Sequence, residues 1–224
     1  MFGIMKNMKN QNKTESKKHI IPTVINVLII ILEIIGFYVA EGTLDIRYMA
    51  YYTRNSNLIL LVTSLIYVIW LTKEDKETPK WLQTLRYMSV VSVALTLIVV
   101  LTILSWSAPG GLRHLLFHRA MFYQHLVCPV LAIISFIFFE KYDFSSKKDA
   151  LRSLYFTLVY AAIMIILNFI KVVKGPYPFL MVRKQPIFIS LLWLLVIFAL
   201  AYIVAIILKY LNAKYSLINE KQLK

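Results

Sequence analysis

The chain has 224 residues, 59% of them hydrophobic and only 16% charged, with a mean hydropathy of +0.69. A soluble domain of this length carries about a quarter charged residues and no repeated apolar runs near 20 residues, so the composition excludes a soluble globular fold and describes a polytopic membrane protein. The net charge of +14 does not point to nucleic acid, because the lysines sit at the ends of apolar runs, where anionic headgroups and membrane topology account for them.

Cys128 is the only cysteine, which leaves no disulfide within the chain and no Cys-rich metal site. The N-terminal MFGIMKNMKNQNKTESKKH is basic like the start of a signal peptide, but the apolar stretch behind it is too long for one and five more spans follow. It is expected to be an uncleaved first span. The pattern divides into a basic cytoplasmic segment over 1–19, a single all-α integral membrane domain over 20–208 and a polar cytoplasmic tail over 209–224.

Six spans are predicted. The first runs from Ile20 to Ala40 with Pro22 in its first turn, where a missing N–H costs little. The second covers Thr53 to Thr72, and the third Tyr87 to Trp106 with Trp81 and Arg86 as interfacial anchors before it. Ala120–Phe139, Ser153–Ile170 and Ile187–Leu208 complete the bundle. With the N-terminus inside, the segments on that side carry sixteen Lys and Arg residues and those on the other side eight, with Arg86 left uncounted. That bias predicts both termini cytoplasmic in a multi-pass protein of the cell membrane. The inner loops KEDKETPK and EKYDFSSKKDALR are charged and featureless.

The outer side reads differently. YYTRNSNLIL, Tyr51 to Leu60, packs polar residues against the start of the second span. On a helix from Thr53, Ser56 and Asn57 follow at i+3 and i+4 and share its face. Thr, Ser and Asn are also favoured helix caps, so capping and a reactive site are both open here. In the fourth span His125 lies about five residues in, roughly 7 to 8 Å deep. An ionisable ring at that depth is a functional-site candidate by default, the alternative being a neutral imidazole bonded between helices. Pro129 leaves a carbonyl without its donor in the turn holding Gln124 and His125.

Glu33 in the first span shares the depth of His125, and either orients that ring as the third member of a nucleophile-base-orienter set, pairs with Arg54, or is a protonated carboxyl bonded to another helix. His114, His118 and His125 at i, i+4 and i+11 raise a metal site, but no carboxylate or cysteine stands at ligand spacing. Interfacial histidines are the better account, and no metal or cofactor is expected. Asn168 closes the fifth span, and GPYPFL, Gly175 to Leu180, follows as either a lid over a cavity or a stiff interfacial loop with Tyr177 and Phe179 in an aromatic belt.

YYTRNSNL, HLVCP and GPYPFL, in that order on six spans, resemble the bacterial six-helix membrane family called Pr-six-Pr. More distantly they are similar to the androgen-induced and androgen-dependent membrane hydrolases of animals. The resemblance implies a catalytic threonine and histidine, here Thr53 and His125, that hydrolyse fatty-acid esters of hydroxy fatty acids. Ser56, Asn57, Glu33 and Asn168, placed on the same side by the reading of the spans, are expected as their supporting neighbours, with membrane lipids as the surroundings, and the resemblance makes a lipid ester the substrate. In that chemistry the amides of Asn55 or Asn57, or free N–H groups of the second span, would steady the oxyanion. The rival reading is a non-catalytic membrane protein that binds lipid, assists assembly or transports a small solute. A transporter needs polar residues through the full bilayer depth, and the sixth span and the inner halves of the second and third are nearly bare of them.

Overall fold

The computed structural model describes residues 2–40, 46–73, 77–106, 108–144, 146 and 148–222, with side-chain surroundings for 19–40, 48–73, 77–106, 108–144, 146, 148–177 and 179–216. Lys76, Lys147 and Lys224 of the charge bias lie outside the described residues, as do the side chains of Lys6, Lys9, Lys13, Lys17, Lys18, Arg47 and Lys221.

All regular structure among the described residues is helical, and six helices are long and apolar enough to cross a membrane. They are His19–Val39, Tyr52–Thr72, Lys80–Trp106, Phe122–Phe139, Asp149–Phe169 and Ile187–Ser216. We label the α-helical segments α1 (Phe2–Val39), α2 (Tyr52–Thr72), α3 (Lys80–Thr102), α4 (Gly111–Phe117), α5 (Cys128–Ile134), α6 (Asp149–Arg152), α7 (Tyr155–Phe169) and α8 (Ile187–Gln222). The basic N-terminal segment continues α1 instead of preceding it, since its Lys, Gln and Glu residues are good helix formers. Pro22 therefore lies inside that helix.

The most enclosed helix is α3, with every residue from Ser89 to Thr96 buried. It packs against α2, the fourth span, α7 and α8. Apolar burial does little to hold helices together where the solvent is itself hydrocarbon, so close packing and hydrogen bonds between helices matter more. Ala201 and Ala205 are fully buried on α8 and bring its backbone close enough for the Tyr87 hydroxyl to donate to the Ala205 carbonyl at 2.5 Å. Hydroxyl pairs join α2 to its neighbours: Thr63 to Ser89 at 2.9 Å, Ser56 to Thr96 at 3.1 Å and Tyr52 to Thr157 at 2.7 Å. Each such bond stabilises by about 0.6 to 2 kcal/mol.

At the end of the bundle away from His125, the structure corrects two expectations. Arg86 is not an interfacial anchor but wholly buried, and so is Glu140 from the loop expected to be featureless. Arg86 Nη2 and Nε donate to Glu140 Oε1 and Oε2 at 2.7 and 3.2 Å, and Nη1 donates to Ser64 at 2.9 Å. Ser135, Tyr142 and Asn26 also donate to the Glu140 carboxylate, while Asn212 donates to its carbonyl at 2.6 Å. Burial alone would raise the Glu140 carboxyl, but the Arg86 charge and these hydrogen bonds outweigh it and hold the group below the usual carboxylate range. With Thr63, Ser64, Arg86 and Ser89 all buried, the inner halves of the second and third spans are not bare of polar groups. Those groups are paired with one another or with Glu140.

Candidate functional site

The helix α2 starts with no capping side chain among the described residues. Its polar side chains turn toward carbonyls instead. Asn55 Nδ2 donates to Met49 and Tyr51 oxygens at 2.6 and 2.9 Å, and Ser56 and Asn57 both donate to the Thr53 carbonyl, at 3.0 and 2.8 Å. Donors cannot satisfy the free N–H groups of a helix start, so the capping account does not describe these residues. The Thr53 hydroxyl faces the fourth span, where its Oγ1 lies 3.2 Å from His125 Nε2.

Two local irregularities place that ring. The segment Phe122–Val127 is a π-helical turn, in which the Cys128 N–H bonds to the Tyr123 carbonyl five residues back. The next bond in that register would run from residue 129 to the Gln124 carbonyl, but Pro129 has no N–H. Asn57 Nδ2 reaches across from α2 and fills the gap, donating to the Gln124 oxygen at 3.0 Å. One side chain thus ties the turn of Thr53 to the residue beside His125.

The second irregularity is the end of α4. Gly110 and Gly111 both take positive φ, and a Cβ on Gly110 would lie 2.8 Å from that of His114, so the Pro109-Gly-Gly break starts this short helix. At its other end Arg119 has φ +46 and the chain leaves the helix, so the Leu115 carbonyl lacks its in-helix donor. His125 Nδ1 supplies one at 2.6 Å. A backbone carbonyl only accepts, so Nδ1 carries the proton and Nε2 presents a lone pair to the Thr53 hydroxyl.

The Leu115 carbonyl thereby occupies the orienting position that Glu33 was expected to take. Glu33 is fully buried with the Cys128 thiol of the fourth span as its neighbour, and it pairs with neither His125 nor Arg54. Asn168 is buried and donates to the Val173 carbonyl at 3.0 Å, which anchors the start of the next loop and does not bring it to Thr53. His114 and His118 stack on each other with ring centroids 4.3 Å apart. Because α4 ends before His118, the continuous stripe through His125 does not form. No group of three His, Cys, Asp or Glu side chains converges among the described residues.

The loop GPYPFL reaches the site through Tyr177, which is 7% exposed. Gly175 has φ +79, and a Cβ there would meet the Leu180 carbonyl at 2.8 Å, so only glycine lets the loop fold back on itself. The Tyr177 hydroxyl accepts from the Thr53 main-chain N–H at 3.5 Å. Tyr177 stacks on Phe179, which packs on Trp193. Thr53 and Tyr177 together line a narrow cavity of about 50 Å³ between α2, α3, α7 and α8, whose other walls include Leu95, Val99, Ala161, Leu180 and Ile197. The carbonyl that Pro129 was expected to free is that of Gln124, whereas sequence reasoning missed Leu115 and Tyr177 as site residues. Leu115 acts through a backbone oxygen that any residue carries, whereas a tyrosine between two prolines was a visible signal. Comparison of the chain with protein-family models, curated proteins and solved structures gave no match.

Proposed function

We propose that the chain is a membrane-embedded hydrolase of lipid esters, with Thr53 as nucleophile and His125 as its base. The observation that carries this reading is the His125 ring, fixed at Nδ1 by the Leu115 carbonyl with Nε2 3.2 Å from the Thr53 hydroxyl. Threonine is a weak nucleophile without a base in reach, and a nucleophile, base and orienter in one line is the arrangement that activates it. The motif resemblance supports the same pair and takes the chain as kin of the six-helix family named above. The charge bias supports a site facing the outer leaflet of the cell membrane, with both termini cytoplasmic.

The reaction has two halves. Thr53 Oγ1 attacks the ester carbonyl carbon while its proton passes to His125 Nε2, and the C=O electron pair moves onto oxygen. Collapse of that intermediate breaks the bond to the alcohol, which leaves with the proton from His125, and the acyl group stays on Thr53. Water then attacks the acyl-threonine, gives its proton to His125, and collapse releases the carboxylic acid as Thr53 regains its hydrogen.

Purified protein in lipid vesicles, given a panel of lipid esters and an acylating probe, tests this beside Thr53→Ala and His125→Ala. The wild type is expected to hydrolyse esters and take up the label. Loss of the base should cost about 10² to 10⁴ in rate. Labelling that survives both substitutions refutes the catalytic reading and leaves the site a lipid-binding one.

A further inference from the structure

The geometry points to Tyr177 as the donor that holds the negative charge developing on the substrate's carbonyl oxygen, a role that rests on the Thr53 and His125 reading above. An oxyanion needs a donor 2.7 to 3.1 Å away that is already in place. The amides expected to serve are committed elsewhere. Asn55 Nδ2 donates to Met49 and Tyr51 carbonyls, and Asn57 Nδ2 to those of Thr53 and Gln124. The N–H of Thr53 is directed at the Tyr177 oxygen.

The proton of Tyr177 remains. Its oxygen accepts from the Thr53 N–H and stands beside the Thr53 side chain, so its O–H is held at the nucleophile, within a turn of the hydroxyl bond from the carbonyl oxygen under attack, and the phenol lines the same cavity as Thr53. Burial pushes this phenol above its ordinary range, which keeps the proton in place across the neutral and mildly alkaline range. Stacking on Phe179, with centroids 5.1 Å apart and planes 11° from parallel, fixes the ring. As charge grows on the carbonyl oxygen, the series from Thr53 N–H through Tyr177 O–H polarises in one direction, and each bond strengthens the next. The cavity beyond is walled mostly by apolar side chains, Leu95, Val99, Ala161 and Ile197 among them, with the hydroxyls of Tyr52 and Thr157 paired to each other and no charged residue in its lining, so the substrate class is a neutral ester with an apolar acyl chain. A charged acyl group would be stranded there without a partner.

The test compares wild type, Tyr177→Phe and Thr53→Ala in lipid vesicles, with aryl esters of saturated fatty acids and a long-chain trifluoromethyl ketone that forms a charged adduct on the nucleophile. Tyr177→Phe is expected to lower kcat by about 10² to 10³ and to weaken the ketone adduct comparably. KM, and binding of an ether of the same chain length, should stay within about twofold, which loss of packing alone would not leave unchanged. In Thr53→Ala, which keeps Tyr177, the infrared carbonyl band of a bound ¹³C-labelled ester should fall in frequency relative to the same ester in protein-free vesicles. This measurement decides the question if Tyr177→Phe fails to fold. Wild-type kcat and ketone affinity in a folded Tyr177→Phe, or an undisplaced band, overturn the role of Tyr177 and leave the Thr53 reading standing. A wild type that neither hydrolyses the esters nor forms the adduct overturns both.

Discussion

Replacing Asn57 with leucine keeps the volume of the side chain and removes its amide, and two carbonyls lose a donor. They do not lose it equally. The Thr53 oxygen retains the Ser56 hydroxyl at 3.0 Å, whereas the Gln124 oxygen, bound by Asn57 at 3.0 Å, has no replacement because residue 129 is proline. The expected cost is that of one buried carbonyl left unpaired, about 1 to 3 kcal/mol. At about 2 to 4 °C per kcal/mol for a chain of this size, the thermal midpoint in detergent should fall by about 2 to 12 °C. Pro129→Ala restores an N–H in the right register. Placed on top of Asn57→Leu, it should recover much of that loss, so a double-mutant cycle should show a coupling of about 1 to 3 kcal/mol between positions on different helices. Strictly additive effects would refute the account of how the π turn is satisfied. The acylation rate of Thr53 should fall about tenfold or more in Asn57→Leu, because the tie between the nucleophile's turn and the base's turn is gone.

The other expectations concern groups around this pair. Arg86→Met leaves the Glu140 carboxylate buried without its cation and should cost about 3 to 5 kcal/mol, read as a midpoint about 6 to 20 °C lower, while adding Glu140→Gln should recover part of it. The Glu140 carboxyl sits below its ordinary range in the folded state, so its stabilisation is full above that range and fades as pH falls through the folded-state value. Wild-type midpoints should therefore drop below about pH 4, and those of the Arg86→Met, Glu140→Gln variant much less. Glu33→Gln should leave ester hydrolysis within about twofold, since Leu115 and not Glu33 orients His125; a 100-fold loss would return Glu33 to the mechanism. Ala161→Phe puts a ring into the narrow cavity beside Thr53 and should abolish hydrolysis of long-chain esters while sparing acetyl esters.

The six spans were readable because each is a long apolar run and His125 because an ionisable ring at such depth is conspicuous, whereas Thr53 was picked from its polar neighbours by the motif resemblance. Their shared side of the membrane followed from counting spans. What holds them together was not readable, for a physical reason in each case. The Leu115 contribution comes from a main-chain oxygen exposed by a helix end, and the Leu side chain carries no mark of it; at Gln124, Pro129 announced a free carbonyl but not that Asn57 would fill it. Arg86 and Glu140 looked like ordinary interfacial charges, since the spacing of one helix does not show which residue of another will meet it. Glu33 misled for the opposite reason. A shared depth suggested a shared site, but depth fixes only one coordinate, and Glu33 faces Cys128.

The π turn at Phe122–Val127 has a bearing on how such a protein changes over generations. A π turn is an α-helix carrying one extra residue. Deleting one residue within it closes this turn to α-helix and re-aims the side chains of the turn itself, His125 among them, while the helix on either side, whose phase the bulge preserves, stays nearly as it was. The span would remain apolar and still cross the membrane, but His125 would point elsewhere than at Thr53. The contact between His125 and Thr53 is thus one codon away from being lost with the scaffold intact, and one codon away from being acquired by a scaffold that lacks it.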